Sequence, residues 1–415
     1  MRSEIPLEDA CELIVDCPHN TAKGGNDVFA FAVGTKAISD GRIDFTHARP
    51  VDETTYNIWV KRAIPCEGDL ILCREAPVGP VARVPKTPRV CLGQRTVMLR
   101  PNPQITDHYY LQYALLAPDT QKNLLALAGG STVAHLNVAD VRKFAVILPP
   151  LDAQRRIAEV LRTLDDKIDS NRRLAALLEE ASATQFRARF VEFLGVDEFE
   201  DCEIGAIPRG WRPVKIAEFV EHHRESASNT SELPYIGLED MPRGSTILER
   251  WKTDNIPAGH SIRFNTGDIL FGKLRPYFKK VGVAPINGRC STEIVVVRLH
   301  SPEAFGLVLG HLSSQRFIEY CTSVSTGTRM PRSEWKAAGE YVVAAPPREE
   351  LRSIKTVTEP AYRRIQNLIH ENQTLAALRD TLLPKLISGE IRVPDTNDPE
   401  EVIGPAPEQL TQAAK

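Results

Sequence analysis

The chain has 415 residues, 42% hydrophobic and 25% charged, with a formal net charge of −3. That length allows two to three domains of about 150 residues, each able to bury a core. The composition excludes disordered, collagen-like and disulfide-scaffold classes.

Residues 1–9 carry Glu4, Glu8 and Asp9 and lack the apolar stretch of a signal peptide. No apolar run approaches the roughly 20 residues that cross a bilayer, so no membrane association is expected. Eight cysteines without a C-x-x-C pair point to free thiols in a reducing cytoplasm.

From the N-terminus, residues 1–149 mix Pro/Gly turns with short β-rich runs and predict a first globular domain. Arg95-Thr-Val-Met-Leu-Arg100 reads as a strand and the stretch near Tyr109–Leu116 as a short helix. From Asp152 to about Phe190 Gly and Pro vanish. Apolar residues then fall at Ile157, Leu161, Leu164, Ile168, Ala175 and Leu178, with Asn171 in the one polar turn of the series. An average interval of about 3.5 is the coiled-coil repeat, so residues 150–191 predict one long helix. Residues 192–206 read as an acidic linker, and 207–346 as a second globular domain. That domain has a strand over Glu293-Ile-Val-Val-Val-Arg298 and a helix near Glu303–Leu312. Residues 347–390 predict a second long helix with Ile365, Ile369, Leu375, Ala376 and Leu382 on its stripe. Pro360 should kink it or mark a restart. A tail, 391–415, completes the chain.

The chain contains itself twice. Gly68-Asp69-Leu70-Ile71-Leu72 answers Gly267-Asp268-Ile269-Leu270-Phe271, Gly130-Ser131 answers Gly327-Thr328, and Pro149-Pro150 answers Pro346-Pro347. In the helices, Ile168, Asn171 and Leu174-Ala175-Ala176-Leu177 answer Ile369, Asn372 and Leu375-Ala376-Ala377-Leu378. A period of nearly 200 residues means two domains of one kind rather than a solenoid. The expected fold class is α+β: two mixed α/β domains separated by two long helices that form an antiparallel coiled coil, with a pseudo-twofold internal duplication. Asn171 and Asn372, if buried, fix the register of that coil, because a slip leaves an amide unpaired. The alternative is that both face water. A 39-residue helix spans roughly 58 Å at ~1.5 Å per residue, which makes the pair a measuring rod.

The charge is unevenly placed. Residues 192–203 carry −6 and the tail 395–415 carries −4, which leaves +7 on the rest. Eight Lys/Arg against three acids fall in 61–100, and five against one in 261–283. Basic patches attract phosphate through counterion release, but a solvated surface has the same counts. Catalytic signatures fail one after another. Gly267-x-x-x-x-Gly272-Lys273 is followed by Leu274 where a P-loop needs Ser or Thr. Leu148-Pro-Pro-Leu151 lacks the polar and aromatic residues of the adenine methyltransferase motif. Cys17-x-His19 has no second pair to complete a metal site, so no metal and no catalytic residue are expected.

Three segments are specific to one family: Leu148-Pro-Pro-Leu-Asp-Ala-Gln-Arg-Arg-Ile157, Leu164-Asp-Asp-Lys-Ile-Asp-Ser-Asn171 and Leu378-Arg-Asp-Thr-Leu-Leu-Pro-Lys-Leu-Ile-Ser-Gly-Glu-Ile-Arg-Val393. With Ile207-Pro-Arg-Gly-Trp211, Gly267–Tyr277, Cys290–Ile294 and Gly68–Leu72, they make the chain resemble the specificity subunit of a Type I restriction-modification system, over about residues 5–393. Pro346-Pro-Arg-Glu-Glu-Leu351 departs from the first copy by lacking its Gln. The resemblance implies a non-catalytic subunit that reads a split, asymmetric double-stranded DNA target, one half per globular domain. It implies two modification subunits, adenine-N6 methyltransferases carrying S-adenosylmethionine, docked on the helices, and restriction-translocase subunits that complete a nuclease for host defence. No cofactor is expected on this chain itself.

Within that reading, basic and amide side chains beside turns are the candidate DNA contacts: Arg74, Arg83, Gln94 and Arg95 in the first domain, and Lys273, Arg275, Lys279 and Lys280 in the second. Arg can pair with guanine and Gln with adenine by two bonds each, while Lys serves phosphate. Tyr277 and Phe278, among these residues, read as packing more than as base stacking. Two rivals stand beside this reading: a self-contained methyltransferase-specificity fusion acting alone, and a coiled-coil adaptor that binds only proteins.

Overall fold

A computed structural model of the chain describes residues 3–25, 27–129, 134–227 and 232–394. It divides into two compact units, residues 1–166 with 375–415, and residues 167–374. Each unit thus contains one globular domain and part of both long helices. Gly130-Ser131, one member of a repeated pair, and residues 395–415 lie outside the described residues.

In the first unit a four-stranded antiparallel sheet runs in the order Cys11–Asp16, Thr96–Pro101, Leu70–Arg74, Val78–Arg83. Side chains alternate across a strand, and here both faces are covered. Leu70, Leu72, Val97 and Leu99 enter a core with the helix His108–Leu116 and the long helices. Ile71, Cys73 and Met98 enter a second core beneath the small sheet Arg49–Val51, Ala30–Val33, Val90–Leu92. Burial on both faces is why the strand reads Leu-Ile-Leu-Cys without a polar residue. Ser3–Pro6 pairs with Ala145–Leu148.

The second unit repeats this plan. Its main sheet runs Val220–His223, Ile294–Leu299, Ile269–Gly272, Val281–Val283. Ile269, Phe271, Val295 and Val297 face the helices, while Leu270, Ile294 and Val296 face the smaller sheet. The parallel pair Ala30–Val33 with Val90–Leu92 has its counterpart in Tyr235–Ile236 with Gly288–Ser291. Arg212–Lys215 pairs with Val342–Ala345 as Ser3–Pro6 does with Ala145–Leu148.

The repeated Gly-Asp is structural. Gly68 and Gly267 hold φ of +91° and +89°, which only glycine adopts without cost. The buried Asp69 accepts from the Cys66 amide at 2.8 Å and from Arg100 in two bonds of 2.9 and 2.7 Å. Asp268 does the same with the Asn265 amide at 2.7 Å and Arg298 at 3.0 and 2.7 Å. The near-match to a P-loop is therefore a turn and a strand.

The long helices are Leu151–Phe190 and Arg348–Ser388. The second is unbroken, so Pro360 marks no restart. Pro360 and Thr356, whose carbonyl loses its helical partner, are both exposed. Buried Ile354, Thr358, Tyr362 and Ile365 on the opposite face hold the helix through it. Pro384 is also accommodated inside the helix. Leu382 is half-buried while Leu383 and Leu386 take the buried positions, because 3.6 residues per turn drifts against a 3.5 repeat.

Within each unit the helices run antiparallel. In the first, Asp165 accepts from Arg379 Nη1 at 2.7 Å and from the Tyr113 hydroxyl at 2.6 Å. In the second, Arg189 Nη1 donates to Ser353 Oγ at 2.7 Å, and Asn171 Nδ2 donates to Asn372 Oδ1 at 3.0 Å. Both asparagines are buried. The helix starts differ as the sequences do. Gln154 is buried, donates to the carbonyls of Ile105 and Pro149, and accepts from the Asp107 amide. Leu351, its counterpart, packs in an apolar cluster with Phe186, Phe190 and Trp211.

The segment 192–206 is not a plain linker, since Phe199–Cys202 pairs with Gly205–Pro208 as a β-hairpin. Phe193 meets both Phe199 and Trp211 edge-on. The helix Phe305–Ser313 lies close against the long helices: a Cβ on Gly310 would fall 2.1 Å from the Phe186 ring. His311, beside it, is buried edge-on to Phe186 with ring centroids 4.9 Å apart. Burial, with Arg316 nearby, holds its pKa down at about 3.

The Asn pair makes a measurable claim. Asn171→Leu alone should lose about 1–3 kcal/mol in denaturant unfolding, because the Asn372 amide stays buried and unpaired. Asn171→Leu with Asn372→Leu should recover most of that loss. His311 makes a second. Its folded pKa lies below the unfolded value, so its stabilisation is complete above about pH 6.5 and is lost as pH falls from there toward 3. At pH 5 the loss should be about 2 kcal/mol relative to pH 8. Wild type and His311→Leu, compared by unfolding across that range, should differ by about that amount in the stability lost between pH 8 and pH 5.

Candidate nucleic-acid interface

In both units the strand after the Gly-Asp turn runs out into a turn, which is Glu75-Ala76-Pro77 in the first unit and is rich in cations in the second. In the second unit this is residues 273–280. Pro276–Phe278 forms a single 3-10 turn flanked by two left-handed residues, Arg275 at φ +52° and Lys279 at φ +51°. A side chain in that region costs roughly 1–2 kcal/mol, and Arg275 also precedes a proline, which disfavours helical backbone. In the first unit Ala76, at φ +47°, likewise precedes a proline, Pro77, at the matching place. Strain kept twice at one topological position marks a place where geometry matters more than stability.

Five of the eight sequence candidates, Gln94 among them, have side-chain polar groups engaged by distant partners. Arg74 Nε donates to Asp16 at 3.1 Å and Arg74 Nη1 to the Leu136 carbonyl at 3.3 Å. Arg95, at φ +68°, pairs with Glu75 at 3.1 Å. Lys273 Nζ lies 3.4 Å from Glu334. Lys280 turns inward, its ammonium donating to the Leu238 carbonyl, and burial lowers its pKa. Arg83 stacks on Tyr109, 3.6 Å from the ring centroid, and Gln94 Nε2 donates to the His19 carbonyl at 3.0 Å from an exposed position. Arg275 donates its backbone amide to Pro331, and its buried Nε has no hydrogen-bond partner among the described residues. Lys279 is half-buried, and its carbonyl accepts from the Gly244 amide.

Several nearby groups carry no local sequence signal. Arg243 lies 3.9 Å over the Phe278 ring, so Phe278 is a packing residue with a cation on its face, whereas Tyr277 beside it is 48% exposed. Arg162, from the first long helix, flanks the Tyr109 ring at 4.6 Å. His222 accepts from Arg224 Nε at 3.1 Å. Burial, Arg224 and Lys273 push its pKa down to about 4, so it adds no positive charge at neutral pH. Among the described residues no three His, Cys, Asp or Glu side chains come together as a metal site, and no helix is long and apolar enough to cross a membrane. All eight cysteines are free thiols.

Each unit thus carries, beyond its two-faced sheet, a turn with left-handed backbone before a proline. Comparison with known proteins gives this arrangement its class. Residues 58–180 match the family model of the Type I restriction modification DNA specificity domain. Over 379 residues the chain is 24% identical to the Type I restriction enzyme MjaIX specificity subunit of Methanocaldococcus jannaschii, spanning 86% of this chain and 83% of that one. It is 22% identical over 333 residues to the EcoDI specificity subunit of Escherichia coli, spanning 72% and 73%. The solved structure of the Type I restriction-modification S subunit from M. genitalium shares the fold. Its TM-score is 0.54 at 15% identity, over 96% of this chain and 97% of that one. By these findings the chain carries one Type I restriction modification DNA specificity domain match and is similar over most of its length to Type I specificity subunits.

Proposed function

We propose that this chain is the DNA reader of a Type I restriction-modification complex and contributes no catalytic group. Each unit recognises one half of a bipartite, asymmetric double-stranded target. The observation that carries this reading is the duplication itself. The same two-faced sheet, the same Asp–Arg-braced turn and the same left-handed residue before a proline occur twice in one chain with different surface residues. A protein that read one contiguous site would not need two complete copies of the scaffold.

Two modification subunits, adenine-N6 methyltransferases that bind S-adenosylmethionine, dock on the long helices. The repeated Leu-Ala-Ala-Leu at 174–177 and 375–378 supports two quasi-equivalent docking surfaces. Leu174 and Leu177 of the first copy, and Leu378 of the second, are exposed rather than packed in the seam. Restriction-translocase subunits complete the nuclease in the host's defence, and free thiols fit a cytoplasmic location. The helices, of 40 and 41 residues, set the gap between the half-sites.

The test of modularity is a domain exchange. Replacing residues 1–149 with the equivalent domain of another family member should change one half of the methylated target and leave the other. Simultaneous change in both halves, or methyl transfer from S-adenosylmethionine by this chain alone, would overturn the reading. A second expectation concerns the helices. Four residues inserted near Ala176 and matched near Ala377 add about 6 Å of helix, against about 3.4 Å per base pair. The gap mapped by methylation should lengthen by about one or two base pairs with weaker binding, both half-sites staying the same.

A further inference from the structure

The cationic turn of the second unit is latched to a neighbouring hairpin that none of the sequence candidates includes. Thr326 and Arg332 exchange two backbone hydrogen bonds, 3.0 and 2.9 Å. The Arg275 amide donates to Pro331 at 2.8 Å and the Ser333 amide to Lys273 at 2.9 Å. Arg332 is held from the side by Glu293 in two bonds of 3.1 Å. Gly327, at φ +89°, turns the chain at the tip. Beyond this base, Thr328, Arg329 and Met330 are all exposed.

The first unit keeps the same latch. Gly129 and His135 exchange two backbone bonds of 3.0 and 2.9 Å, and the Leu136 amide donates to Arg74 at 2.8 Å. His135 also bridges to Glu75, as Arg332 does to Leu274. The sequences 129–135 and 326–332, between equivalent bonded ends, therefore align one to one. Gly130-Ser131 answers Gly327-Thr328, but Thr132-Val133 stands where the second copy has Arg329-Met330. The latch bonds are common to both copies, and the residue types at these two aligned sequence positions are not. A recognition surface built twice to read different bases needs that division.

The chemistry of the tip agrees. Arg332, Arg298 and Lys273 are each tied to a carboxylate, whereas the Arg329 side chain has no hydrogen bond or ion pair among the described residues. A free guanidinium can donate two parallel bonds to guanine O6 and N7, and an apolar side chain beside it can meet a thymine methyl. Met330 is 48% exposed, an apolar group left in water next to a cation. The latch holds the hairpin's base, so that reach is set in advance of binding.

We propose that the hairpin 326–332 is a DNA-reading element of the second unit, with Arg329 and Met330 as specificity-determining residues that contact base edges of its half-site. The proposal rests on the reading of the chain as a DNA specificity subunit. Both residues are exposed, so their replacement leaves the fold intact. Thermal unfolding of Arg329→Thr with Met330→Val should match wild type.

The test uses the full-length chain and a pool of randomised DNA duplexes, from which bound sequences are recovered and aligned. Wild type should select a bipartite consensus. The double variant should retain the half-site contributed by residues 1–149, lose or alter the other, and bind the wild-type consensus about tenfold or more weakly. The single variant Arg329→Gln should weaken binding to that duplex in the same half only. A double variant that selects the wild-type consensus with wild-type affinity, or changes the half read by residues 1–149, overturns the hairpin's role and leaves the proposed function standing. A wild-type chain that selects no consensus overturns the underlying reading instead.

Discussion

The structure depends on one constraint: the strand after each Gly-Asp turn is buried on both faces. Leu70–Arg74 and Ile269–Gly272 send alternate side chains into a helical core and into a core beneath a small sheet. Such a strand must be sandwiched, so each unit requires two layers over it, and the long helices supply part of one. Its end is fixed by a carboxylate with almost no access to water, Asp69 or Asp268, held by a two-bond arginine. A carboxylate that bonds both a turn amide and a guanidinium has no low-cost alternative position. The loop beyond the strand therefore leaves the sheet at a set place and direction.

That loop carries the strained residue, and in the second unit it is also cationic. Arg275 and Ala76 hold left-handed backbone before a proline in both units, and they can do so because the braced strand over-determines them. Backbone strain of this size is small against a well-packed core, yet it places a loop with little freedom. The scaffold thus separates two tasks. Shared residues hold the loops, and in the second copy Arg329 and Met330, which differ from the first copy's sequence, are exposed. The Gln154 and Leu351 helix starts show the same separation in the supporting layer. One locks its neighbouring loop with three hydrogen bonds, the other packs into an apolar cluster, and both begin a long helix.

Charge behaves differently from fold. The counts of basic residues in 61–100 and 261–283 suggested two phosphate-seeking patches, but several of those cations are neutralised by partners far away in sequence. Asp16 is 58 residues from Arg74, and Glu334 is 61 from Lys273. Lys280 points at a carbonyl rather than at solvent. The positive charge of residues 261–283 is therefore carried to solvent by fewer side chains than composition implied, and the nearby His222 stays neutral.

Periodicity and duplication were legible in the sequence because they are local or self-referential. Four-three spacing from Ile157 to Leu178 required a long helix, the runs over 95–100 and 293–298 required strands, and the offset repeats required two domains of one kind. The continuity of the second helix through Pro360 was not legible, since a proline on an exposed face costs one hydrogen bond that packing on the other face outweighs. Nor was the pairing of Asn171 with Asn372, or the division of the chain into units that each take part of both helices. Which cation is free depends on carboxylates brought close only by folding, and the latch between residues 273–275 and 331–333 joins segments nearly 60 residues apart. Side-chain pattern along a chain reports which face is buried; only the tertiary structure decides what stands opposite each charged group.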